Sequence, residues 1–161
     1  AFEDLVDPYG IEFWPEFKGR DGCRTPMVWQ STAHLGGFTT AARSWLPVPA
    51  DHMLKAVDRQ VADNGSVLSH YRAMLAFRRQ HPALSGGRIR TLDAPETILA
   101  FIREEAGDRV LCAYNMSEKA AVMTLPEGVS VVASGAPGIA EEPVGATLSL
   151  PPFGAYIGLL R

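Results

Sequence analysis

Gly19-Arg20-Asp21-Gly22-Cys23-Arg24-Thr25-Pro26-Met27-Val28-Trp29 crowds two arginines, an aspartate and a proline turn into one short stretch among aromatic residues. Proline fixes its own φ and holds the preceding residue extended, so Thr25-Pro26 sets a turn. A planar guanidinium can donate two parallel hydrogen bonds to vicinal hydroxyls or to a carboxylate, a fork that lysine cannot reproduce. Aromatic rings nearby, Trp14 and Trp29, can stack on sugar faces, although packing is the commoner use of such residues and is the one expected for both. On composition alone the stretch is a charged, aromatic loop of the kind that lines active sites.

Around it, from Ala1 to about Pro49, Phe2, Tyr9, Phe13, Trp14, Phe17, Trp29, Phe38 and Trp45 sit among glycines and prolines. Neither a 3.6 nor a 2 period persists there. Such a long irregular segment is expected to be a functional loop packed on a scaffold. Met53, Val57 and Val61 then recur at helical spacing and predict a short helix within Asp51 to Ala62.

Ser66 can cap a firmer helix whose apolar face runs through Val67, Leu68, Tyr71, Met74 and Leu75, residues expected in the core. Arg72, Arg78 and Arg79 complement its C-terminal dipole, and His81-Pro82 stops it.

Past Ser85-Gly86-Gly87, a linker, the period changes to two. Strands are predicted at Arg88 to Leu92, Thr97 to Glu104, Arg109 to Asn115, Ala120 to Leu125, Val129 to Ser134, Ala146 to Leu150 and Gly154 to Leu160. Glu105-Ala106-Gly107-Asp108 makes a hairpin of the second and third. Short strands separated by turn signals, without intervening helix, predict an antiparallel sandwich of about 75 residues. The chain is therefore α+β.

The 161 residues are 47% hydrophobic and 20% charged, which is globular composition. A formal charge of -3 leaves no cationic surplus for nucleic-acid phosphates. No apolar run approaches membrane-spanning length, and no basic-then-apolar leader opens the chain. The first residue, Ala1, is expected to mark a processed or truncated product. Cys23 and Cys112 cannot build a disulfide framework and are expected to be free thiols in a reducing, cytoplasmic setting. His34, His52, His70 and His81 lie too far apart for metal-ligand spacing, so neither metal nor cofactor is expected.

No complete catalytic constellation is visible. The acidic residues Glu3, Asp4, Asp7, Glu12, Glu16 and Asp21 offer no pair on strand ends that would fix the carboxylate separation of a glycosidase. The serines lack a nucleophile elbow, and phosphate-binding glycine loops are absent.

R-D-x-x-R-T-P-M followed closely by tryptophan resembles the segment after the eighth barrel strand in α-glucosidases of the α-amylase superfamily, glycoside hydrolase family 13. The longer run GIEFWPEFKGRDGCRTPM is similar to bacterial α-glucosidases of that family, some of which also transfer glucosyl units. SVLSHYRAMLAFRRQHPAL resembles the last barrel helix, and the strand-rich remainder resembles the small C-terminal sandwich, domain C. The resemblance implies the end of a (β/α)8 barrel over residues 1–84, comprising the long loop after strand eight and the final helix, followed by an antiparallel β-sandwich over 85–161.

The resemblance also implies that the nucleophile aspartate, acid/base glutamate and third aspartate of a retaining glucosidase precede this chain. None of the three can be carried over, so the chain by itself is expected to be inactive. Its implied partners are the rest of the barrel and an α-glucoside or oligosaccharide substrate, without nucleic acid or membrane. Arg20 resembles the family residue that approaches the terminal glucose, helped by an aspartate from an earlier part of the barrel. The alternative for Arg20 is an ordinary surface salt bridge. Arg24 faces an acceptor-side subsite or braces the loop, and its position in the motif fits both. Asp21 is expected to hold the loop rather than touch sugar.

Two readings from other classes stand beside this one: a non-catalytic carbohydrate-binding module and a structural β-sandwich domain. The large aromatics of the sandwich, Phe101, Tyr114, Phe153 and Tyr156, fall mostly in apolar strands and are expected to be buried, which disfavours the binding module.

Overall fold

The computed structural model of the chain describes residues 1–134, 136–137 and 143–161. By internal contacts the chain forms two units, Ala1–Ser69 and His70–Arg161, a division distinct from the family boundary expected at Leu84/Ser85.

In the first unit, helix α1 (Pro8–Glu12) begins where Asp7 can cap it. The Asp7 carboxylate accepts the Tyr9 amide at 3.3 Å, and Pro8 at the first helical position has no amide to leave unpaired. Gly10 lets the returning chain close in, because a Cβ there would stand 2.5 Å from the carbonyl oxygen of Lys18. A 3-10 turn over Asp21–Cys23 follows.

The single helix expected within Asp51 to Ala62 is two: α2 (Ala50–Met53) and α3 (Val57–Val61). The break comes where the chain meets a distant segment. The Val57 and Asp58 amides, left without intrahelical acceptors at the start of α3, donate to the carbonyls of Val28 and Trp29 at 3.0 and 3.1 Å. The end of the arginine-rich stretch is thereby tied to α3. Buried apolar side chains in this unit include Val28, Leu46, Ala56 and Pro26, while Asp7, Asp21 and Ser66 are buried polar residues.

Helix α4 (Val67–Gln80) starts as expected, with Ser66 Oγ accepting the Ser69 amide at 3.2 Å. Its apolar face, however, is not the predicted one. Val67 and Tyr71 are 78% and 62% exposed and Leu75 also falls in the exposed class, whereas Phe77 is buried. Phe77, with Met74 beside it, packs against Val110, Cys112 and Ile157, so the C-terminal turns of α4 make the seam and the N-terminal apolar residues do not.

The seven predicted strands all form: β1 (Arg88–Thr91), β2 (Ile98–Glu105), β3 (Asp108–Asn115), β4 (Ala121–Thr124), β5 (Val131–Ser134), β6 (Thr147–Leu150) and β7 (Ala155–Leu160). They make a five-stranded sheet in the order β1-β2-β3-β7-β5 and a two-stranded sheet of β4 and β6, with all pairings antiparallel. Glu105 pairs with Asp108 across Ala106 and Gly107, both at positive φ, which suits a two-residue hairpin turn.

Period two decides what faces what. Ile98, Ala100 and Ile102 of β2 join Leu111, Ala113 and Tyr156 on the inner face, packed against Met123, Leu148 and Leu150 of the small sheet. Strand β3 is covered on both faces, since Val110 and Cys112 meet α4 on the other side. A strand so placed reads as a continuous apolar run, and Val110-Leu111-Cys112-Ala113 is one. Of the sandwich aromatics, Tyr156 is fully buried and Phe101 and Tyr114 are half-buried. Phe153 is exposed, contrary to expectation, because it sits at φ 52 in the turn between β6 and β7 with its amide donating to Ser117.

Candidate functional site

The arginine-rich stretch is organised by two buried carboxylates. Asp21 Oδ2 accepts the amides of Val6 at 2.6 Å and of Asp7 at 2.9 Å, which fixes the loop as its sequence position suggested. Its other oxygen, Oδ1, is buried with no hydrogen-bond partner among the described residues. Arg24 Nη1 lies 3.9 Å from it, an ion-pair distance too long for a hydrogen bond.

Asp7 holds Arg20. Its Oδ2 accepts the Arg20 amide at 2.7 Å and Nε at 3.0 Å, and its Oδ1 accepts Nη2 at 3.2 Å. The carboxylate is 1% exposed and the arginine side chain 69% exposed. Hydrogen bonds from the Arg20 side chain, then from its amide, hold the Asp7 carboxyl well below the usual carboxylate range, and the same pairing raises the Arg20 guanidinium.

Gly19 makes the approach possible: it lies at φ 70, and a Cβ there would stand 2.8 Å from Asp7 Oδ2. Asp7 is the residue that the sequence reading passed over. Its signal was Asp-Pro at a helix start, which reads as a cap, and nothing local shows that the same carboxylate reaches Arg20.

Two of the five N–H groups of Arg20 are used by Asp7. The other three have no partner among the described residues. Arg24 makes bracing contacts: its guanidinium carbon lies 4.9 Å from the centroid of the Trp45 ring, besides the approach to Asp21. Pro26 is buried, and in this chain Trp29 is 51% exposed. The Trp29 backbone is pinned by Gly36 and α3, so its ring is turned outward. Trp14 is half-buried, with Phe2 5.9 Å and Lys18 Nζ 5.8 Å from its ring. Cys23 Sγ donates to the carbonyl of Arg20 at 3.0 Å.

Two family matches divide the chain. The alpha amylase catalytic domain matches residues 2–87, and the maltogenic amylase C-terminal domain matches residues 89–157. A probable alpha-glucosidase of Rhizobium meliloti is 45% identical over 159 residues, covering 99% of this chain and 28% of the relative. An oligo-1,6-glucosidase of Parageobacillus thermoglucosidasius is 30% identical over 136 residues, covering 80% of this chain and 24% of the relative. The chain thus spans less than a third of the length of the relatives it matches.

Among solved structures, the alpha-glucosyl transfer enzyme XgtA superposes with a TM-score of 0.85 at 45% identity, over 100% of this chain and 30% of that one. The trehalulose synthase MutB of Pseudomonas mesoacidophila gives 0.79 at 26% identity, over 100% and 32%. A catalytic-domain match over more than half of the residues, with the arginine-rich stretch inside it, agrees with the resemblance carried by that stretch: this chain belongs to the alpha-amylase family.

Proposed function

We propose that the chain is the C-terminal portion of a retaining α-glucosidase that releases, or transfers, terminal α-linked glucose from oligosaccharides. The chain contributes one wall of the sugar pocket, and the catalytic carboxylates come from preceding sequence. The observation that carries this reading is Arg20: its guanidinium is held on one edge by buried Asp7 and leaves three N–H donors on an exposed side chain. Such a fork suits the vicinal hydroxyls of a terminal glucose. The high identity to a glucosidase and to a glucosyl transfer enzyme supports the same substrate class.

In this role Arg20 binds and orients the sugar ring, so that bonds strengthening toward the oxocarbenium-like transition state lower the barrier. Arg24, held against Trp45, braces the loop that carries Arg20. A cytoplasmic setting fits the free thiols Cys23 and Cys112.

Two measurements test the proposal. The purified chain should release no glucose from maltose or p-nitrophenyl α-glucoside; clear turnover would show that the chemistry resides within it. In the full-length protein, Arg20→Lys should lower kcat/KM without unfolding the protein. Equal kinetics would return Arg20 to an ordinary surface ion pair.

A further inference from the structure

We propose that Asp7 is a positioning residue for sugar binding: it sets the plane and direction of the Arg20 guanidinium without touching substrate itself. The inference rests on the reading of Arg20 given above and extends it to a residue outside the arginine-rich motif.

The asymmetry of the pair is the first reason. Exposed ion pairs join two mobile, solvated side chains and have little geometric definition. Here the acid is 1% exposed and the arginine 69%. The fold has enclosed the carboxylate and presented the cation.

The second reason is the number of constraints. Asp7 meets Arg20 at three donors, the amide, Nε and Nη2, so backbone and guanidinium are referred to the same two oxygens. Bidentate contact along the Nε–Nη2 edge fixes the guanidinium plane and leaves Nη1 and the second Nη2 hydrogen for a ligand. An exposed arginine otherwise loses rotamer freedom when it binds, and that loss weakens binding.

Third, Asp7 is itself held. Its amide donates to Asp21 Oδ2 at 2.9 Å, its Oδ1 caps α1 through Tyr9, and the glycine at position 19 lets the backbone lie against it. A carboxylate fixed by backbone on several sides can transmit position; one on a flexible stem could not.

The test is a double-mutant cycle in the full-length protein with p-nitrophenyl α-glucoside, reading kcat and KM separately, together with competitive inhibition by glucose. Arg20→Lys reports on the underlying reading: if it leaves kinetics unchanged, that reading fails irrespective of Asp7. If it impairs activity, Asp7→Asn should lower kcat/KM by about tenfold to a hundredfold and weaken glucose inhibition in parallel. The double variant should then be no worse than Arg20→Lys, because both changes break one unit. Asp7→Asn kinetics like wild type, or multiplying losses in the double variant, would overturn the proposal.

Should Asp7→Asn not fold, Asp7→Glu serves, since its longer stem displaces the fork while keeping the charge. In the folded protein it should show the same kinetic loss, and wild-type kinetics there would equally overturn the proposal. Added guanidinium should partly restore an Arg20→Ala variant only while Asp7 is present; restoration that survives loss of the Asp7 carboxylate would also sink the idea.

Discussion

Asp21 accepts the backbone amide of Asp7 at 2.9 Å, and Asp7 in turn accepts the amide of Arg20 at 2.7 Å. Two segments of irregular backbone are thus crossed by reciprocal carboxylate bonds, which supply here the order that strand ladders supply in the sheets. The glucose-binding role assigned to Arg20 depends on that crossing.

Asp21→Ala removes the acceptor for two amides, leaving that of Asp7 without a partner in a buried position and that of Val6 in a partly buried one. The expected loss is about 1–3 kcal/mol. Asp21→Asn keeps one acceptor oxygen and should lose less. Denaturant unfolding of the whole chain, with hydrogen exchange at Val6 and Asp7, checks the order; equal losses for the two variants would count against a role through these amides.

Asp7 makes the first unit acid-sensitive. Its ordinary value is 3.8, and pairing with Arg20 depresses it in the folded state. A depressed folded value means stabilisation that is present above 3.8 and is lost as pH falls from there through the folded value. Opening of residues 1–69, followed by proteolysis or exchange at decreasing pH, should therefore accelerate below about pH 4. In Asp7→Asn this dependence should flatten, and the variant should already be less protected at neutral pH.

Asn115 ties the end of β3 to the turn between β6 and β7. Its Nδ2 donates to Lys119 at 2.7 Å and Pro151 at 2.8 Å, and its Oδ1 accepts from the Ser117 amide and hydroxyl at 3.1 and 2.8 Å. The side chain is buried. Asn115→Ala should cost roughly 1–3 kcal/mol in thermal or denaturant unfolding. Asn115→Asp should be no milder, because a carboxylate would face the carbonyls that Nδ2 now serves.

The sheet half was legible because its signals are local. Alternation in Ile98 to Ile102, turn chemistry at Ala106-Gly107 and the apolar run at Val110 to Ala113 each determine their own element. The misread features depend on partners distant in sequence. The apolar stripe on α4 gave a helix correctly but not its seam, since Phe77 packs on strands about thirty residues and more downstream. Arg20 was identifiable through the family motif, whereas Asp7 lies thirteen residues away and is recognised only when the loop closes.

The unequal environments of the two thiols give the protein a built-in reporter. Burial pushes the Cys112 thiol up and shields it beneath α4, whereas Cys23 is exposed one hydrogen bond away from the Arg20 carbonyl. A maleimide dye or nitroxide should couple at Cys23 alone in the native chain and at both cysteines once it is denatured. Within this chain no engineered cysteine is then needed to place a spectroscopic probe beside the proposed glucose-contacting loop.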